Sequence, residues 1–438
     1  MTLESAYGVP AVPVVVHVFE DLVKAAAFAG GMPNERFVFV PMPVMGKTPS
    51  ELRAYVDGRD PVTGRPVMEE VVECLTRPLT DEEKRTDSIV RRNPKFIGPD
   101  TERGLGRLFR KNLWTDMLPI KLPTKERVAE MLKATGHGPG EVIGEMRPAG
   151  TREGWSYTVE QVAVNAVMAG AEPEYFPVIL ALASSRVSAR HSSTSSFASM
   201  VVVNGPMGKE IGMNSGIGAM GPYNHANATI GRAYGLLSQN LQGGSIPGDT
   251  YLGSQGNNYA YNSITFAENE DASPWEPFHV QKGFKAGESV VSVFERVWST
   301  SFHLGLREKY WRAHLSDLLR GINPFAEVVF VLDPLAANLF VDRGGFDTKE
   351  KLYTWVHENI RQSAGVYWDD QLVRNYVRPM ALGNVEPYAT WLKAREDEMI
   401  PRFPVSSIHA VVVGGSTNAY WRIMGCRYAT SVSVDRWR

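Results

Sequence analysis

Two carboxylates one residue apart, Glu268 and Glu270, lie in the run Phe266-Ala267-Glu268-Asn269-Glu270-Asp271, and Trp275, Glu276 and His279 follow closely. Alternate residues of an extended segment share a face, so Glu268 and Glu270 point the same way while Asn269 points the other. Carboxylates held together raise the pKa of one of them and can divide acid and base duties. His279 with Glu276 adds an acid/base pair or metal ligands, and Trp275, between Pro274 and Pro277, supplies a rigid apolar wall. The plain structural alternative is an acidic strand end with a tryptophan packed on it.

Upstream lies a stretch unusually rich in Gly, Asn and Pro. Asn204-Gly205-Pro206 is followed by Asn214 and Ser215 between glycines, and then by Asn224, His225 and Asn227 ahead of an apolar-periodic segment. Asn donates and accepts without charge, and Gly opens backbone conformations closed to other residues, so a shaped polar pocket is expected here. Asn224 or Asn227 is the expected cap of the following helix, whose free N–H groups suit a carboxylate or phosphate. Arg232, about one turn in, adds a bidentate clamp. Turn chemistry alone also selects Gly and Asn, which is the structural reading of each residue taken singly. His191 stands in a Ser/Thr-rich loop before the strand at 200–204 and is assigned as a lid or oxyanion donor. His225, Glu268, Glu270 and His279 are thus the expected catalytic set. Asn204, Asn214, Ser215, Asn224, Asn227, Arg232, Trp275 and His191 are the expected substrate-binding set.

Other chemistries are not indicated. No GxGxxG directly follows the first strand, and GxxxxGK[ST] and GxSxG are absent, so no nucleotide cofactor or hydrolase elbow is expected. No His-Glu-x-x-His occurs, and a metal is left only dispersed His and Glu ligands. His137, His303, His314 and His357 receive no role. Cys74 and Cys426 are the whole cysteine complement, too few for a disulfide scaffold or a Cys-rich metal site. Arg427 beside Cys426 would favour a reactive thiolate, whereas burial would make that thiol inert.

Strands alternating with helices must position these groups. Strands are expected at 200–204, 263–267, 289–294, 327–332 and 408–413, and helices at 226–240, 300–321, 334–343 and 348–363. This is an α/β pattern with mostly parallel sheets flanked by helices. Ligands in such sheets sit at the carboxyl ends of strands, so the ends at 204–206, 268–270 and 414–418 are expected to converge. The division is a partial small α/β domain at 1–56, an extended arm at 57–123, a main α/β domain at 124–325 and a second α/β half at 326–438. The arm is Pro- and Arg-rich, and its Arg91, Arg92, Arg103, Arg107 and Arg110 read as solvated charges or inter-subunit ion pairs.

With 438 residues, 43% apolar and 21% charged, and a formal charge of -2, the chain can bury a large core and has no polyanion-binding bias. No run is apolar for the roughly 20 residues a membrane span needs, and no signal core follows the N-terminus. A cytoplasmic protein without nucleic-acid or membrane partners is expected.

The segments VNAVMAGAEPEYFPVILALA, VVVNGPMGKEIGMNSGIGAMGPYNHANATIGRA and FAENEDASPWEPFHVQKGF, with HAVVVGGSTNAYW near the end, resemble the UGSC-type family of (seleno)proteins and their operon-linked companions. The stretch from Gly8 to Leu52 resembles the second half of the small domain in which that family carries a Sec- or Cys-Gly-Ser-Cys motif. That motif is missing from this chain. The resemblance implies that a second, smaller subunit supplies it or that the thiol chemistry is lost. The expected function is a subunit of a heteromeric enzyme acting on a small polar or carboxylated substrate. A partner's Cys or Sec would take part in lyase- or reductase-type chemistry at a carbon–heteroatom bond. The alternatives are a self-sufficient hydratase, hydrolase or lyase with or without a metal, and a non-catalytic scaffold that completes a partner's site.

Overall fold

The computed structural model describes residues 2–29, 31–85, 95–145, 156–190, 196–242, 247, 251, 253–306 and 308–438. Arg91, Arg92 and His191 lie outside them.

The N-terminal unit is a single β-α-β crossover. Strand β1 (Val14–Val16) pairs in parallel with β2 (Val38–Val40), and α1 (Glu20–Ala29) connects them. Helix α2 (Pro49–Val56) is opened by Thr48, whose hydroxyl and backbone N–H exchange bonds with Glu51 in a capping box. Helix α3 (Val67–Thr76) packs Val67 against Val38 and Val40, which carries the unit past residue 56. Arg36 then ties down the chain beyond α3, donating to the carbonyls of Cys74, Arg77 and Pro78 and pairing with Glu83.

Part of the arm region packs on the main body. Helix α4 (Glu102–Lys111) keeps Arg103, Arg107 and Arg110 exposed and turns Phe109 into the core. Its continuation is held by Gln239 and Asn240, which donate to the carbonyls of Leu113 and Trp114. Helices α5 (Val159–Ala169) and α6 (Phe176–Ser184) follow; Gly170, at φ 85°, ends α5 in the left-handed conformation that favours glycine.

The centre is one six-stranded sheet. Strand β3 (Ala198–Asn204) leads through helix α7 (His225–Asn240) to β4 (Ile264–Ala267), then through α8 (Phe278–Gln281) to the long β5 (Val290–Leu304). After α9 (Trp311–Arg320) the plan repeats: β6 (Glu327–Leu332), helices α10 (Pro334–Asp342) and α11 (Lys349–Asn359), β7 (Ile408–Val412) and the long β8 (Tyr420–Ser433). The order β7-β6-β8-β5-β3-β4 reads the same from either end, each half running second, first, third strand toward the middle.

The sheet is therefore mixed rather than mostly parallel. β3 with β4 and β6 with β7 are parallel, while β3–β5, β5–β8 and β6–β8 are antiparallel. The difference comes from β5 and β8. Residues 300–304 extend β5 where a helix was expected, because Trp298, Phe302 and Leu304 alternate with polar residues at period two.

Alternation divides the side chains into three cores. Met200, Val202, Phe266, Phe294, Val329, Val331, Val411, Met424 and Cys426 face one another in an interior to which all six strands contribute. Val201, Val203 and Val293 face outward under α5, α6 and α7. Val328, Phe330, Val412, Trp421 and Ile423 face outward under α9, α10 and α11. The sheet curls until its edge strands meet at their carboxyl ends, where the Asn269 N–H donates to the Val412 carbonyl at 2.7 Å. Among the described residues no helix is long and apolar enough to cross a membrane.

Candidate functional site

The three strand ends meet. Asn204 ends β3, and its amide nitrogen donates to Glu268 at 2.6 Å and to Glu270 at 2.8 Å. Both carboxylates thus face one amide. Beside them, Asn269 donates to the Gly414 carbonyl at 3.0 Å, and the Gly414 N–H donates to the Ser215 carbonyl at 2.8 Å.

Glu268 is 5% exposed and fully engaged. Besides Asn204 it accepts from the Phe278 N–H at 2.7 Å and from the Val412 N–H at 3.4 Å, and Lys349 Nζ lies 3.7 Å away. Lys349 is 1% exposed; burial pushes its ammonium pKa down, and Glu268 opposes that shift. Glu270 accepts from the Gly205 N–H at 2.7 Å and lies 3.9 Å from His279 Nδ1. His279 is fully buried and its Nε2 meets the Lys285 carbonyl at 3.1 Å, while Glu276 is exposed. Asn204 Oδ1, His279 Nδ1 and Lys349 Nζ make no hydrogen bond. Glu268 is therefore the centre of a buried knot joining both edge strands, α8 and α11, with the half-buried Glu270 at its margin. Lys349 was not foreseen, because nothing in its helix-opening context separates it from a solvated lysine.

The asparagine loop is tied to itself. Asn214 donates to Asn224 at 2.8 Å and to the Ile217 carbonyl at 2.9 Å; Asn224 donates to the carbonyls of Gly218 and Gly221; Asn227 donates to those of Asn214 and Ala219. Asn224 occupies the cap position of α7 without a side-chain capping bond, so its role is loop closure. Ser215 contributes its backbone carbonyl to Gly414. His225 is exposed, and its Nδ1 lies 3.3 Å from the Tyr175 hydroxyl. Arg232 is engaged by the chain itself, holding Asp116 through two bonds of 2.9 Å and the Pro119 carbonyl. Trp275 is a core residue whose indole donates to the Phe346 carbonyl at 2.8 Å.

What the loop and the strand ends leave open is a cavity of about 300 Å³. Ile217 to Gly221 form one wall, and Val331, Asp333, Val413, Gly414, Gly415, Thr417, Tyr420 and Arg422 complete it. It is the mouth of the sheet interior, since Val331 and Val413 also belong to the inner core. A Cβ on Gly415 would collide with the Ile217 side chain, so glycine lets the loop close on the strand end. Asp333 caps α10, accepting from Ala336 at 2.7 Å and from the Tyr420 N–H at 2.5 Å, and burial pushes its carboxyl pKa up. Arg422 shares its face of β8 with Met424 and Cys426 and is the interior-facing cation nearest the mouth. Its guanidinium lies 5.6 Å over the Tyr420 ring and has no hydrogen-bond or ion-pair partner among the described residues. Arg422 was missed because β8 was not recognised as a strand, and without its register nothing directs that side chain into a pocket.

Among the described residues no group of three or more His, Cys, Asp and Glu side chains could hold a metal ion. Cys426 is buried in the inner core, and burial raises its thiol pKa well above the ordinary value. Burial also raises that of Cys74, against the lowering effect of Arg36.

The sequence model of the UGSC family matches residues 2–76. Over those residues the chain is similar to the UGSC family. The UGSC match covers β1 to α3 and none of the segments 164–183, 201–233 and 266–284 that carry most of the resemblance. No curated protein and no solved structure matches the chain.

Proposed function

We propose that the chain is one subunit of a heteromeric enzyme and holds a small carboxylate-bearing substrate in the cavity at the junction of the two sheet halves. The observation that carries this reading is Arg422, a cation without an anionic partner lining a cavity at strand ends. A guanidinium there offers a forked pair of donors matched to a carboxylate. Thr417 supplies a further polar group, and about 300 Å³ is the lower end of the range for small-molecule pockets.

The cavity binds better than it reacts. Of its titratable side chains, Asp333 already accepts two backbone N–H bonds, and neither cysteine lines it. The reacting group is therefore assigned to a partner, a thiol or selenol being the nucleophile that the UGSC-type segment suggests, in lyase- or reductase-type chemistry at a carbon–heteroatom bond. His225, Glu268, Glu270 and His279 pass from reacting groups to supporting ones in this proposal.

The test is binding of benzoate, followed by ligand-observed NMR on wild type and Arg422→Gln. Losing a charged hydrogen bond of about 1.5–3 kcal/mol should weaken binding by roughly 10- to 150-fold. Equal affinity in the two proteins would remove the site from the cavity.

A further inference from the structure

The rim of the cavity is built of large apolar side chains that the fold leaves uncovered. Ile217 is 74% exposed, Phe302 60% and Tyr420 37%. The Phe302 and Tyr420 rings stack with centroids 5.5 Å apart and planes 7° from parallel. They come from neighbouring antiparallel strands, β5 and β8, where Phe302 is the register partner of Arg422. The Phe302–Tyr420 stack therefore stands directly beside a guanidinium that lies over the Tyr420 ring and has no hydrogen-bond or ion-pair partner among the described residues, with Ile217 in the loop wall of the same cavity. Scattered exposed hydrophobics need no explanation, but Ile217 and Tyr420 lining one cavity, with Phe302 stacked on Tyr420 and an anion anchor beside them, describe a two-part ligand.

We infer that the ligand of this site is an aryl carboxylate: a carboxylate on Arg422 with a flat conjugated ring lying against the Phe302–Tyr420 stack. A saturated ring of equal size would cover the same area without the preferred stacking geometry. Aromatic pairs are worth about 0.5–1.5 kcal/mol beyond area burial, a preference of roughly 2- to 12-fold for the flat ring. The inference rests on the cavity being the site, as proposed above.

Benzoate and cyclohexanecarboxylate separate the two claims when titrated into the full chain as wild type, Phe302→Ala and Arg422→Gln, with unfolding midpoints recorded alongside. The expected result is tighter binding of benzoate by wild type, a preference erased by Phe302→Ala, and weakened binding of both ligands by Arg422→Gln. Equal affinity for the two ligands, unchanged in Phe302→Ala, would overturn the aryl specificity and leave the carboxylate site standing. Indifference of both ligands to Arg422→Gln would overturn both claims. If Phe302→Ala alters particle size in light scattering and leaves the ratio of affinities alone, the rim is a protein contact and the inference falls.

Discussion

In the first half of the sheet the ends of β3 and β4 carry Asn204, Glu268 and Glu270; Glu268 is drawn into a buried knot with Asn204, Lys349, Phe278 and Val412, and the half-buried Glu270 joins it through Asn204. The second half repeats the strand plan, yet its corresponding ends carry Asp333 after β6 and Val413-Gly414-Gly415 after β7, and there the cavity opens. In the first half the carboxylate Glu268 bonds across to the other edge strand and closes the strand ends; in the second the carboxylate Asp333 is spent on capping α10, and the glycines after β7 leave room. Residue types that suggest chemistry are thus concentrated where the molecule holds itself together, and the open space lies where the side chains are small. Carboxylates already held by several N–H donors are committed to the fold, whereas a cation without a hydrogen-bond or ion-pair partner can meet a ligand.

The strongest way to break this contrast is Glu268→Ala. It removes the acceptor of Asn204, Phe278 and Val412 and takes from the buried Lys349 ammonium its ion-pair partner, leaving only the weaker influence of Glu276 and Glu350. Breaking one side of such a pair typically costs about 3–5 kcal/mol, and adding Lys349→Met should recover part of it. Denaturant unfolding of the single and double variants measures both. A loss below about 1 kcal/mol in Glu268→Ala would return Glu268 to the reacting groups.

Next in size is Asn227→Ala. Asn227 is 3% exposed, its amide serves the carbonyls of Asn214 and Ala219, and its oxygen accepts from the Asn214 N–H. Leaving buried groups unpaired costs about 1–3 kcal/mol. Because the same loop forms a cavity wall, benzoate binding should weaken together with stability. If stability drops and binding is untouched, the loop wall is not part of the site.

How much of this could be read from the chain follows from which interactions are local. The boundaries of β6, β7, α7 and α10 lie close to their expected places, since Val-rich runs, Asp333-Pro334 and the 3.6-residue spacing of Ile230, Ala233 and Leu237 are neighbour-to-neighbour signals. The meeting of the strand ends was also legible, because carboxyl ends in α/β sheets gather. The long pairing of β5 with β8 was not, since its residues find their partners more than a hundred positions away and are individually polar or aromatic. With β8 unseen, Arg422 had no face. Arg232 shows the same limit: its spacing from a helix start suits an anion, and the anion it holds is Asp116 from the arm, a partner no local signal names.

A smaller effect reports on the seam between the halves. His409 on β7 sits among Phe278, Phe294 and Tyr428, with Nε2 3.0 Å from Glu327 Oε2; burial lowers its pKa, Lys282 and Lys349 add to that, and Glu327 opposes it. A histidine whose folded pKa lies below its ordinary 6.5 contributes stability that is fully present above 6.5 and is lost as pH falls through the folded value. Stability measured from pH 7 downward should therefore decline more steeply in wild type than in His409→Gln. Parallel acid limbs would mean that the seam tolerates a charged imidazole.

The smallest expected change in stability belongs to Arg422→Gln, and it separates the two halves most sharply. Arg422 lacks a hydrogen bond or ion pair among the described residues, and its ring contact with Tyr420 is worth about 0.5–1 kcal/mol at an exposed site. Removing the charge also relieves the cost of an unpaired cation beside the inner core, so the unfolding free energy should move by less than about 1 kcal/mol, in contrast to Glu268→Ala. Ligand binding should show the reverse order, with Arg422→Gln losing most. A residue that is neutral for folding and decisive for binding marks a site; one that is decisive for folding marks a scaffold. If Arg422→Gln instead unfolds the protein as Glu268→Ala does, the cavity mouth is a second structural knot and the contrast between the halves disappears.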